Sequence, residues 1–242
     1  MQKLLSFNAD AKTVKSNNAG SEYLTAILYL SPADSVPGIN VCPTAELAGC
    51  KAACLYNAGR AAIFPAIHAA RRKKTEFFRD DRYGFMSQLQ KEVFAFRKKA
   101  QKLGKIAAIR LNGTSDIAFE NIPCNNGLSL MHNFPDVQFY DYTKLPGRKV
   151  PSNYHLTASY SEANKAYAAK VSKSEHNVAV VFRTKQLPET FLGRRVISGD
   201  KTDLRFLDEK GVVVGLYAKG TAKKDRSGFV VDYNPNIIAR GC

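Results

Sequence analysis

Short apolar, β-prone runs recur along this chain, and polar loops or helical stretches separate most of them. The runs cover residues 23–30, 106–111, 137–142, 154–160 and 178–182. A helical stretch between two strands carries the chain back beside its predecessor, so this texture predicts an α/β fold with a mainly parallel sheet, open or barrel-like. Residues 203–207 and 212–217 flank Asp208-Glu209-Lys210-Gly211 and read as a small C-terminal β-hairpin. Helices are expected from about Glu46 to Ala62, from Pro65 through Lys74, from Asp80 or Asp81 to Gly104, and from Ser161-Glu162 to about Val171. Phe85, Leu89, Val93, Phe96 and Leu103 give the third of these an apolar stripe at helical spacing. With 242 residues and no internal repeat or clear linker, the chain reads as a single α/β domain. Within it, 1–22 is a loosely held lead-in, 23–75 holds a strand, a cysteine loop and helices, and 198–242 is β-rich.

Composition bounds the function classes. Hydrophobic residues make up 45% and aromatics 10%, enough to build a core and too many for intrinsic disorder. No apolar run approaches the ~18 residues of a membrane helix, and Met1 to Phe7 lacks the apolar centre of a signal peptide, so a cytoplasmic protein with no membrane partner is expected. Lys and Arg number 36 against 21 Asp and Glu, a formal charge of +15 that favours polyanions such as nucleic acid. Much of the excess sits in Arg71-Arg72-Lys73-Lys74, in Arg97 to Lys102 and in Lys219 to Lys224. Those runs read either as a phosphate-tracking surface or as solvated helix faces and partners of helix C-termini.

Three of the five cysteines crowd into thirteen residues, as Cys42-x7-Cys50-x3-Cys54. In a reducing compartment such a cluster points to metal rather than disulfides. On the expected helix, Cys50 and Cys54 would share a face, with Cys42 folding back onto it from the preceding loop. A helix N-terminus there would favour thiolates. Three thiolates from one loop suit a [4Fe–4S]-type iron–sulfur cluster with one corner left open. A structural zinc site would want four ligands, usually with paired C-x2-C spacing, which is absent. The bland alternative makes Cys50 and Cys54 small buried hydrophobes. Cys124 could supply a fourth ligand, and Cys242 reads as a bystander.

In parallel α/β folds ligands gather at the carboxyl ends of the strands. The residues that follow the expected strands there are Asn112, Thr114, Ser115 and Asp116, then Asp141 and Lys144, then Ser159 and Glu162, then Arg183 and Lys185. Parallel strands would bring the first six onto the rim of the cysteine loop as a polar pocket for a small molecule. His155 lies inside a strand and reads as a satisfied core histidine.

Three cysteines placed directly after the first long strand resemble the radical S-adenosylmethionine (SAM) architecture. That resemblance implies a partial or complete (β/α) barrel, a [4Fe–4S] cluster on Cys42, Cys50 and Cys54, and SAM at the open iron. The spacing here differs from the family's C-x3-C-x2-C, Ala53 stands where an aromatic precedes the third cysteine, and no Gly-Gly-Glu-like segment follows a second strand. The layout therefore speaks for a cluster more than for SAM chemistry. The segments around Cys42-Pro43, 110–116, 134–144, 153–157 and 199–208 also resemble a bacteriophage protein family across roughly 40–232. That resemblance implies a phage-encoded protein in a host bacterial cytoplasm and brings no activity with it. Members of that family are sometimes labelled rolling-circle replication proteins, whose nickases need two histidines flanking one apolar residue. His68, His132, His155 and His176 offer no such pair. Two readings follow: an iron–sulfur protein of radical-SAM-like build with an open iron, or a non-enzymatic basic protein stapled by iron–sulfur or zinc that binds nucleic acid or a protein partner.

Overall fold

The computed structural model describes residues 2–8, 11–17, 20–54 and 63–233. A strand β1 (Leu5–Phe7) and a helix α1 (Ala11–Asn17) occupy the segment expected as a lead-in. The Glu92 carboxylate holds β1 in place, accepting from the backbone N–H groups of Leu4 and Leu5 at 2.8–3.0 Å. The first long strand, β2 (Tyr23–Leu28), is followed by the cysteine loop and two consecutive helices, α2 (Pro65–Asp80) and α3 (Arg82–Lys102). Asp81 separates the helices and caps the second, its carboxylate accepting from Gly84 N–H at 2.7 Å.

The remaining elements are β3 (Ile106–Arg110), a short α4 (Leu130–Asn133), β4 (Gln138–Thr143), β5 (Tyr154–Ser159), α5 (Lys165–Ser172) and β6 (Asn177–Phe182). Then come β7 (Thr190–Phe191), β8 (Arg194–Ser198), β9 (Val213–Tyr217) and β10 (Val230–Val231). All ten strands join one sheet, in the order β1-β2-β3-β4-β5-β6-β9-β8-β7, with β10 on β6. From β2 to β6 each strand pairs in parallel with the next one in the chain, and β9 continues the series. The sheet is open, edged by β1 and β7, so a complete barrel is not formed.

The two faces of the sheet carry different loads, because side chains alternate along each strand. One face presents Leu24, Ala26, Ile109, Phe139 and Leu156 to the apolar stripe of α3, namely Phe85, Leu89, Val93 and Phe96, with Phe78 of α2. Leu103, the last member of the expected stripe, is exposed, because α3 ends at Lys102 and Gly104 (φ +63°) turns the chain away. The opposite face carries Ile27, Arg110, Tyr142, Ser159, Val181 and Leu216, which the registers put on one side of the sheet.

The expected C-terminal hairpin is corrected. Residues 205–207 form a 3-10 turn, not a strand, and β9 lies in parallel between β6 and β8. Side-chain burial decides this: Leu204 and Phe206 pack on Tyr140, and Asp203 bonds to Arg110, so the segment covers the sheet instead of extending it. The tight hairpin lies earlier, between β7 and β8, where Leu192 and Gly193 both have positive φ.

Candidate functional site

The cysteine loop does not contain the expected helix. Residues 44–49 form a single helical turn, and Gly49 at φ +63° ends it. Gly49 N–H donates to Glu46 O at 2.9 Å and Cys50 N–H to Ala45 O at 3.0 Å, the paired bonds of a Schellman stop. The helix therefore does not run on through Cys50, and Cys50 and Cys54 do not share a helical face. The expected continuation over 55–62 lies outside the described residues. Ser227 Oγ donates to Gly49 O at 2.7 Å, and a Cβ at Gly49 would stand 2.7 Å from Ala163 Cβ, so the turn is clamped from two distant parts of the chain.

The three thiols nevertheless meet in one place. Cys42, Cys50 and Cys54 line a cavity of about 390 Å³ together with Arg110, Asn112, Thr114, Ser115, Tyr142 and Lys144. It opens at the carboxyl ends of the parallel strands, on the face turned away from α2 and α3. Ser159, Ala179, Val181, Leu216 and Phe229 complete an apolar wall. The strand β5 stops at Ser159, and β10 takes over the freed edge of β6, which brings Phe229 to the cavity.

Each expected site residue can now be placed. Asn112, Thr114, Ser115 and Lys144 line the cavity as expected. Asp116 and Asp141 do not line it; they lie buried behind it and hold the others in position. Asp141 accepts from Asn112 N–H at 2.8 Å, Asn112 Nδ2 at 3.1 Å and Tyr154 O–H at 2.7 Å. Asp116 accepts from Lys144 N–H at 2.6 Å and pairs with Arg148 at 3.3 Å, which fixes the start of the Lys144 loop. Asn112 Oδ1 receives Ser115 O–H and Ile117 N–H, both at 2.8 Å, and Thr114 donates to Leu30 O. The β3 loop is thus internally satisfied. Cys124 packs in the core beneath α2 and α3 rather than at the cavity, and Cys242 lies outside the described residues.

Arg110, Tyr142 and the apolar wall escaped the sequence reading. Arg110 ends an otherwise apolar strand, and that break in the pattern was the available signal. Its guanidinium donates to Asp203 at 2.9 Å and lies over the Tyr142 ring at 4.8 Å.

Burial controls the electrostatics. It pushes the Cys42 thiol up to about 11 against the pull of Lys144, and it raises Cys50 as well. The helix whose N-terminus was expected to favour three thiolates is absent over 42–54, and burial holds Cys42 and Cys50 toward the thiol. Burial works against the Lys144 ammonium, yet Cys50, Cys42 and Asp116 more than offset this and hold its pKa above the ordinary lysine value. Burial likewise lifts Asp141 to about 6, with Arg110 opposing.

Among the described residues, no group of three His, Cys, Asp or Glu side chains stands together as a ready metal site. The three cysteines suit an iron–sulfur cluster by donor chemistry and by facing one cavity, and would have to draw together to ligate it.

The basic runs are partly spent within the chain. Lys74 is buried and donates to Leu4 O at 2.7 Å, Arg72 pairs with Glu76 at 3.0 Å, and Arg97 pairs with Asp136 at 2.6 Å. Lys98 and Lys99 lie over Phe94 and Phe7. No helix among the described residues is long and apolar enough to cross a membrane. No curated protein and no solved structure matches the chain. The likeness that does hold runs over residues 3–233, nearly the whole described fold, and by it the chain belongs to the Gene product 88 family of phage proteins.

Proposed function

We propose that the cavity is an iron–sulfur site in which Cys42, Cys50 and Cys54 hold a [4Fe–4S]-type cluster with one iron open to a small molecule. The observation that carries this reading is the shared cavity: three cysteines from one loop and the polar residues after β3 and β4 line the same space. The sheet supports a partial (β/α) barrel of radical-SAM-like build. Its parallel strands run in chain order, and the cysteine loop follows the first of them. Such a cluster would supply a redox centre and a Lewis-acidic iron. The chain's own part is to deliver three soft donors, exclude water with Val181, Leu216 and Phe229, and keep Lys144 beside the thiols. SAM is one small molecule that an open iron could take.

Anaerobic purification with iron and sulfide counting tests the reading. The expected result is brown protein with iron and sulfide in matched amounts and broad visible absorption. Ala at Cys42, Cys50 or Cys54 should strip most of the iron, and Cys124→Ala should keep it. Colourless protein carrying stoichiometric zinc overturns the reading. Electron paramagnetic resonance of the reduced protein, with and without SAM, then asks whether SAM reaches the iron.

A further inference from the structure

The polar groups that line the cavity are unequally satisfied. Asn112 and the hydroxyls of Thr114 and Ser115 are committed to bonds within the chain. Lys51 is held by Asp34 at 2.9 Å and Glu46 at 2.8 Å, and Tyr142 O–H by Asp203. Arg110 gives one nitrogen to Asp203, and its buried Nε is ion-paired with Asp141 at 3.8 Å. Lys144 stands apart. Its backbone N–H bonds to Asp116, but among the described residues its ammonium makes no hydrogen bond and no ion pair, though it is partly buried and lines the cavity. Asp116 attracts this charge from behind the cavity wall without bonding to the ammonium, whose N–H donors are left for what enters the cavity.

We propose that the cavity binds a small organic oxyanion, with its carboxylate or phosphate on the Lys144 ammonium and its apolar body against Val181, Leu216 and Phe229. The shape of the site supports this class. The cavity has room for a molecule larger than an inorganic ion, at about 390 Å³, and most of the wall away from Lys144 is apolar. Pockets of this kind fix orientation with a few polar groups and gain affinity from the apolar remainder. Its unbonded charged donor, Lys144, is cationic, Arg110 is paired with Asp203 and Asp141, and its lining acid, Asp34, is paired with Lys51. The inference deepens the reading of the cavity as the functional site and does not require that a cluster be present.

The test uses the anaerobically purified full chain and three probes with related apolar bodies: benzoate, phenyl phosphate and neutral benzyl alcohol. Calorimetric titration should show one-to-one binding of at least one anion, at least tenfold tighter than the alcohol. The ratio of benzoate to phenyl phosphate affinity names the source of the oxyanion. Lys144→Gln should erase the preference for the anion, Lys144→Arg should retain most of it, and Lys185→Gln, away from the cavity, should leave it unchanged. Should Lys144→Gln fail to fold, wild-type protein answers instead. Saturating anion should slow acetylation of Lys144, read by mass spectrometry, at least several-fold relative to Lys185. Equal affinity for alcohol and anions, an undiminished preference in Lys144→Gln, or unprotected Lys144 overturns the inference. Iron and sulfide counted on the same sample keep the two readings separate. A clustered protein without the preference sinks only the oxyanion, and the preference in a cluster-free protein sinks only the cluster.

Discussion

At the residue scale, the half-buried His155 and the buried Asp141 give the protein opposing responses to acid. Burial lowers His155 to about 4, with His176 and Arg205 adding to the effect. In the unfolded chain the imidazole would protonate near its ordinary value, so the unfolded state binds more protons between about pH 4 and 6.5. Stability from this group is complete above that window and is lost as pH falls through it, by roughly 3 kcal/mol at most from a shift of that size. Asp141 acts in the other direction. Its folded value, raised to about 6, means that the folded state binds more protons between about pH 4 and 6, so its share of stability falls as pH rises. The two slopes largely cancel in the wild type. His155→Gln should expose the Asp141 slope, so that urea midpoints fall from pH 4.5 to 6.5. A His155→Gln midpoint that rises over that range would contradict the assignment.

At the element scale, the cysteine loop depends on the stop at Gly49. A left-handed backbone costs a non-glycine residue roughly 1–2 kcal/mol, and a Cβ pressed against Ala163 and Ser227 adds an overpacking cost of roughly 1–3 kcal/mol. Gly49→Ala should therefore lose roughly 2–4 kcal/mol in denaturant unfolding and bind less iron than wild type, because Cys50 follows it directly. Unchanged iron at reduced stability would mean that the turn does not position Cys50. This element also shows where sequence legibility ended. The strand β2, the parallel partners after it and the meeting of Cys42, Cys50, Asn112, Ser115 and Lys144 were readable, because apolar runs and polar strand ends are local patterns. The helix through Cys50 and Cys54 was not, because Ala and Leu content outvoted a single glycine whose role depends on Ala163 and Ser227, far away in sequence. Likewise the stretch 203–207 has strand-like composition, but tertiary contacts of Leu204 and Phe206 with Tyr140 decide its conformation. Cys124 and Lys144 were equally conspicuous as isolated residues, and only the fold sends one to the core and the other to the cavity.

At the scale of the whole molecule, the cavity is closed by segments that the sequence separates widely. Its floor belongs to strands from β3 to β9, its cysteine wall follows β2, and its last wall residue, Phe229, arrives just before β10. The C-terminal segment is therefore a structural member of the site. Val230 and Val231 are each 3% exposed and pair with Val181 and Phe182, and Ser227 reaches back to Gly49 O. Burying two valines stabilises by roughly 3–6 kcal/mol, a large share of the roughly 5–15 kcal/mol that holds a domain together. A chain ending at Lys224 should consequently unfold at much lower urea and be cut by protease within residues 42–54 well before wild type. Ser227→Ala, which removes the clamp on Gly49 together with the hydroxyl's bonds to Asp225 and Phe229 N–H, should raise cleavage in 42–54 while shifting the urea midpoint less than the truncation does. Two outcomes would sink this account. One is a truncated chain as stable as wild type; the other is a Ser227→Ala loop no more sensitive than the rest of the surface, which would leave the cysteine wall standing without the C-terminal segment.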